Sequence, residues 1–119
     1  MSYRIMVVDD DPNILGTLKD ILVDAGYTVV TADSVQSAGA CLAGTSFDLL
    51  IIDLNLPDGA GLDLAKKLRA HPPCPRMVMM TGQADSVLFV TEPISLVDAY
   101  LVKPIDVQEL LQIIKGLLA

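Results

Sequence analysis

Four short apolar runs in this chain each end in a residue that can do chemistry. Val7-Val8 leads into Asp9, Asp10 and Asp11, and Leu49 to Ile52 leads into Asp53. Met77 to Met80 leads into Thr81, and Tyr100-Leu101-Val102 leads into Lys103. A lone Asp at a strand end is most often a turn residue or a helix cap. Only the four strand ends taken as a set point to chemistry. If the four runs are parallel strands lying side by side, their carboxylates, hydroxyl and ammonium converge on one rim. Ligands bind at that rim in open parallel sheets.

Asp9, Asp10 and Asp53 at close quarters would repel one another, and a divalent cation relieves that repulsion. All-oxygen donors with no paired His or Cys select a hard ion, Mg²⁺ or Mn²⁺. Mg²⁺ takes few protein carboxylates and leaves positions for water and a phosphate. A carboxylate can attack phosphorus to give an acyl phosphate. Lys103 and the Thr81 hydroxyl are then the donors for the charge on the equatorial oxygens.

The elements needed to hold such a rim are legible in order. Arg4 to Val8 reads as a strand. Asp11 caps a helix with Pro12 at its first position. Ile14, Leu15, Leu18, Ile21, Leu22 and Ala25 follow at helical spacing, and Gly26 stops the helix. Tyr27 to Thr31 is a β-branched second strand. Ser34 caps a helix carrying Val35, Ala38, Cys41 and Leu42 inward and ending near Gly44. Asp48 to Asp53 is the third strand, four large aliphatics without alternation, as suits burial on both faces. Pro57 to Gly61 reads as a loop. A third helix bears Leu62, Ala65 and Leu68 and is stopped by His71-Pro72-Pro73. Arg76 to Thr81 is the fourth strand. Residues 85–98 are irregular; one short helix ending near Thr91 is expected, since Pro93 removes a donor and biases Glu92 away from helix. Tyr100 to Val102 is the fifth strand. Asp106 caps the last helix with Glu109 as capping-box partner, and Leu110, Leu111, Ile114, Leu117 and Leu118 form its buried face. Strands about 25 residues apart, alternating with helices, imply a doubly wound α/β domain with a parallel sheet covered on both faces.

A chain of 119 residues with 52% apolar content is enough for one such domain, spanning 1–119. Its net charge of −7 argues against nucleic-acid binding by this segment, which needs a basic patch. Cys41 and Cys74 read as free thiols. No basic, apolar leader and no run of eighteen apolar residues is present, so a soluble, cytoplasmic domain with no membrane contact is expected. The methionines read as core filler, and His71 as a helix-end residue. Asp58 and Asp63 read as loop and surface charges.

Four pieces together resemble the receiver domain of bacterial two-component response regulators. They are the acidic pair after strand one, Asp53-x-Asn55-x-Pro57-x-Gly59 after strand three, Thr81-Gly82 after strand four, and Tyr100-x-x-Lys103-Pro104 after strand five. The resemblance covers the whole chain. It implies a flavodoxin-like sheet in the order 2-1-3-4-5. It implies Mg²⁺-dependent transfer of a phosphoryl group to Asp53 from a phosphohistidine on a sensor histidine kinase or a histidine phosphotransfer protein. Asp10, Asp53 and the Asn55 main-chain carbonyl would bind Mg²⁺ directly, and Asp9 through water. Thr81 and Tyr100 would be a switch pair, Lys103 would contact the phosphate, and the Lys103–Pro104 peptide would be cis. Asn55 and Gln83 would tune dephosphorylation. The readout, and a candidate homodimer contact, would be the fourth helix, fifth strand and fifth helix. Glu92-Pro93 and Ser95-Leu96-Val97 depart from the family pattern there. Val87 to Val90 cannot all face inward on one short helix, which leaves two readings: an exposed partner or dimer patch, or a locally distorted helix packed on the core.

Two other functions compete: an interaction module that no longer uses phosphate, and a Mg²⁺-dependent aspartyl phosphatase. A pure scaffold has no need of mutually repelling acids. A phosphatase of that kind commonly carries a second acid where Asn55 stands. A calcium loop starting at Asp53 is excluded by Pro57, Asp58 and Leu64 at its fifth, sixth and twelfth positions. A dinucleotide site is excluded because Asp-Asp-Asp-Pro, not a Gly-rich turn, follows the first strand.

Overall fold

The structure, a computed structural model, describes residues 3–56, 59–70, 73–82 and 97–118. Strands β1 (Arg4–Val8), β2 (Thr28–Ala32), β3 (Leu49–Asp53), β6 (Arg76–Thr81) and β7 (Ala99–Val102) form one sheet in the order β2-β1-β3-β6-β7. All four pairings are parallel. In chain order these are strands 2-1-3-4-5, the expected doubly wound order. Between β3 and β6 lie two short strands, β4 (Asn55–Leu56) and β5 (Gly59–Ala60). The described helices are α1 (Pro12–Asp24), α2 (Val35–Gly44), α3 (Gly61–Arg69) and α4 (Val107–Leu118).

Side chains alternate across a strand with period two, and here the alternation feeds two separate cores. Met6, Val8, Leu50, Ile52, Met77 and Met79 pack with Ala38 of α2 and with Leu64 and Ala65 of α3. Ile5, Val7, Leu49, Ile51, Val78, Met80 and Leu101 pack with Leu18 and Leu22 of α1 and with Leu110 and Ile114 of α4. Both faces of the central strands are dry, so β3 reads LLIID with every residue buried. Four methionines, Met6, Met77, Met79 and Met80, are fully buried core residues.

The local signals act as read. The Asp11 side chain accepts the Asn13 amide at 2.9 Å, with Pro12 opening α1. Ser34 and Ser37 form a reciprocal capping box at α2. Asp106 accepts the Glu109 amide at 3.1 Å, ahead of α4. Gly26 has φ 99°, a left-handed conformation natural to glycine, and ends α1 in a Schellman motif. Its N–H donates to Val23 and that of Tyr27 donates to Leu22. Because Tyr27 spends its donor on the helix end, β2 starts one residue later than the expected Tyr27 to Thr31.

Three expectations need correction. The third strand begins at Leu49 and the fifth at Ala99, each one residue from its expected start. Pro57 to Gly61 is not wholly loop: Asn55 pairs with Ala60 and Leu56 with Gly59, antiparallel. Two pairs are too few to leave a period-two pattern in sequence. α3 then starts at Gly61, inside the expected loop. The expected helix ending near Thr91, together with Gln83, Val87 to Val90 and Glu92-Pro93, lies outside the described residues, as do Pro57, Asp58 and His71.

Candidate functional site

The carboxyl ends of β1, β3, β6 and β7 meet at one edge of the sheet, and the reactive residues stand there. Asp9 follows β1 and is tied to the sheet by its N–H, which donates to the Ala32 carbonyl. Asp53 is the last residue of β3. Ile5-Val7-Asp9, Leu49-Ile51-Asp53 and Leu101-Lys103 share one strand parity, the parity that packs on α1 and α4. Thr81 and Tyr100 share the other, and Tyr100 packs against the core beneath α2 and α3.

Oxygens of Asp9, Asp10 and Asp53 lie within 4.8 Å of one another. Asp9 is 0% exposed and Asp53 5%, while Asp10 faces solvent. Buried like charges this close need a cation. Lys103 supplies one, 94 residues away in sequence from Asp9. Its Nζ donates to Asp9 Oδ2 at 2.8 Å and to Asp53 Oδ2 at 3.3 Å. The other Asp9 oxygen accepts the Asp11 N–H at 2.9 Å, which orients the carboxylate. Burial is the largest single influence on the Lys103 ammonium and pulls its pKa down. The hydrogen bond to Asp9 and the charges of Asp53 and Asp9 together outweigh it, and the net shift is upward.

Lys103 is fixed from its backbone. Its N–H donates to the Thr81 carbonyl at 2.7 Å, and the Lys103–Pro104 peptide is cis, as expected. Thr81 is buried at the end of β6. Tyr100 is half-buried, with its hydroxyl oxygen inside the protein. The Leu54 N–H bonds the Met80 carbonyl, which pins the chain just beyond Asp53. The Asn55 backbone follows in β4. Cys41 and Cys74 are free, as read. Among the described residues no helix is long and apolar enough to cross a membrane.

The structure thus brings together Asp9, Asp10, Asp53 and Lys103, with Thr81 at the adjoining strand end. Lys103, the expected phosphate contact, sits nearer Asp9 than Asp53. Three clustered carboxylates with oxygen donors only fit a hard divalent ion. Beside them runs an apolar groove of about 580 Å³, lined in part by Ile14, Leu18, Ile21 and Ile105, with Gly82 and Lys103 on its wall.

Sequence reading passed over two residues. Gly61 presses against the backbone of Asp53, and Asp98 ties the far ends of β6 and β7 together. A glycine at the first position of a helix was the available signal for the former. An Asp directly before a strand was a weak one for the latter.

This arrangement belongs to a known class. The family model of the response regulator receiver domain matches residues 5–115. The chain belongs to that family, whose members are signalling domains of two-component systems. It is 33% identical to the transcriptional regulatory protein AruR of Pseudomonas aeruginosa, over 99% of this chain and 50% of that protein. It is 30% identical to the TorCAD operon transcriptional regulatory protein TorR of Escherichia coli, over 99% of this chain and 51% of that protein. The chain therefore spans about half the length of these curated relatives. Among solved structures, the response regulator TrrA from Thermotoga maritima, in complex with Mg²⁺-BeF, superposes with a TM-score of 0.86 at 31% identity. That match covers 98% of this chain and 99% of the other. The signal receiver domain of an HD domain-containing protein from Pseudomonas fluorescens gives 0.91 at 29% identity, covering 99% and 95%.

Proposed function

We propose that this chain is a phosphorylation switch in which Asp53 accepts a phosphoryl group from a phosphohistidine on a sensor histidine kinase or a histidine phosphotransfer protein. The observation that supports it most is the meeting of three carboxylates and Lys103 at one strand edge. Asp10, Asp53 and the Asn55 main-chain carbonyl, with Asp9 through water, would hold Mg²⁺, which would supply charge neutralisation for the phosphoryl oxygens. An Asp53 carboxylate oxygen attacks phosphorus. The P–N bond of the donor breaks, its electron pair stays on the imidazole nitrogen, and that nitrogen takes up a proton. Lys103 moves onto the new phosphoryl oxygens, and the Thr81 hydroxyl donates to them. Tyr100 responds on the same face of the sheet as Thr81, which carries the change to the edge strand β7. Asn55 and Gln83 set how long the acyl phosphate lasts. The groove beside Lys103 gives a partner an apolar seat next to the acceptor.

The chain works as one receiver domain in the cytoplasm. Its acidic surface leaves DNA contact to other parts of whatever protein carries it, as befits a module similar to half of a transcriptional regulator.

The test is incubation with Mg²⁺ and acetyl phosphate. Wild type takes up one acid-stable, base-labile phosphoryl group, and Asp53→Asn takes up none. Unlabelled wild type, under conditions that label another receiver domain, overturns the proposal.

A further inference from the structure

One backbone contact at the site sets Gly61 apart from six other glycines of the chain. A Cβ placed on Gly61 would land on the Asp53 carbonyl oxygen, 2.9 Å from Ile52 Cγ2 and 3.1 Å from the Asp53 carbonyl carbon. At Gly16, Gly26, Gly39, Gly44, Gly82 and Gly116 the same atom would meet nothing within 4 Å. Gly61 is also buried, and its N–H donates to the Leu54 carbonyl at 2.8 Å. The first residue of α3 is therefore pressed directly onto the end of β3, at the residue that bears the acceptor carboxylate.

We propose that Gly61 is a positioning residue for Asp53: its missing side chain lets the start of α3 seat against the Asp53 peptide and hold the acceptor carboxylate in place beside the acidic pair and Lys103. The inference rests on the phosphoacceptor reading. Glycine is the residue that allows such close backbone approach. The obstacle to any larger residue is a backbone carbonyl, which cannot swing aside as a flexible side chain does. The Asp53 peptide has little room to yield. Asp53 pairs with Met80 in the sheet, and the Leu54 N–H is bonded to the Met80 carbonyl. A methyl group at position 61 must lift α3, breaking the Gly61–Leu54 hydrogen bond, or turn the Asp53 peptide. Either change displaces the carboxylate from Lys103 and the acidic pair. Misplacing a reacting group by about 1 Å costs on the order of 100-fold in rate.

The test compares wild type, Gly61→Ala and the exposed helical control Gly16→Ala. Each is titrated with Mg²⁺ by calorimetry and labelled with acetyl phosphate at saturating Mg²⁺. Gly61→Ala is expected to bind Mg²⁺ about tenfold more weakly, and to lose on the order of 10- to 100-fold in maximal labelling rate with little change in the acetyl phosphate KM. A purely structural role would leave folded Gly61→Ala with wild-type Mg²⁺ affinity and maximal rate, and that result overturns the inference. Labelling that fails in wild type and control alike strikes the phosphoacceptor reading instead. Should Gly61→Ala not fold, amide exchange in wild type decides. A Gly61 N–H that exchanges slowly, and more slowly still with Mg²⁺ and beryllofluoride, supports the contact. Fast exchange unchanged by them refutes it.

Discussion

Replacing Lys103 with Met removes the only cation placed on the buried acids among the described contacts. The Lys103 side chain is 20% exposed, that of Asp9 0% and that of Asp53 8%. At an effective dielectric constant near 20, each of its two contacts represents a gross attraction of about 5–6 kcal/mol. Burial of the three groups offsets most of that. What the substitution exposes is the cost of leaving two buried carboxylates facing each other, about 3 kcal/mol, the lower end for breaking a buried pair because the ammonium retains some solvent. In a chelator-containing buffer, urea unfolding followed by circular dichroism is therefore expected to show Lys103→Met less stable than wild type by about 3 kcal/mol. Mg²⁺ should partly repair the defect. The ammonium and the metal draw on the same carboxylate oxygens, so removing Lys103 tightens Mg²⁺ binding by about tenfold, or 1.4 kcal/mol. At a Mg²⁺ concentration ten times the wild-type Kd, linkage stabilises wild type by about 1.4 kcal/mol and the variant by about 2.7 kcal/mol, narrowing the gap to about 1.7 kcal/mol. A variant as stable as wild type without metal, or a gap that ignores Mg²⁺, would refute the reasoning.

Two further outcomes follow from the same geometry. The Lys103 pKa is raised by folding, so its contribution is complete below the unfolded lysine value of about 10.4 and is lost as pH climbs through the folded value. The stability difference between wild type and Lys103→Met should hold steady from about pH 7 to 10 and shrink above that, as read by urea midpoints across pH; a gap that widens there contradicts the upward shift. At the opposite edge of the sheet, Asp98 Oδ2 accepts the Met77 N–H at 2.7 Å, and Asp98 pairs with Arg69 and Arg76 at 3.4 and 3.5 Å. Asp98→Ala strands a buried donor and should cost about 2 kcal/mol while leaving Asp53 labelling intact. Loss of labelling in folded Asp98→Ala would show that the two ends of the sheet are coupled.

Much of this protein is decided by short-range rules. Apolar runs of strand length, bounded by Pro, Gly and capping residues, placed the five sheet strands within one residue at either end. Asp11, Ser34 and Asp106 marked their helix starts because capping depends on a side chain and the amide two or three residues on. The chemical types at the strand ends were equally visible, since a residue's type is local. Other features were decided by the assembled fold. Lys103 rests closer to Asp9 than to Asp53 because β1, β3 and β7 stop at particular heights, and no pattern in the chain encodes that register. The Asn55–Ala60 hairpin is too short to show a period. The seat of Gly61 on the Asp53 carbonyl depends on where α3 lands on the sheet. Spacing along the polypeptide tells which groups can reach the rim; distances between atoms there belong to the packing of strands and helices against each other.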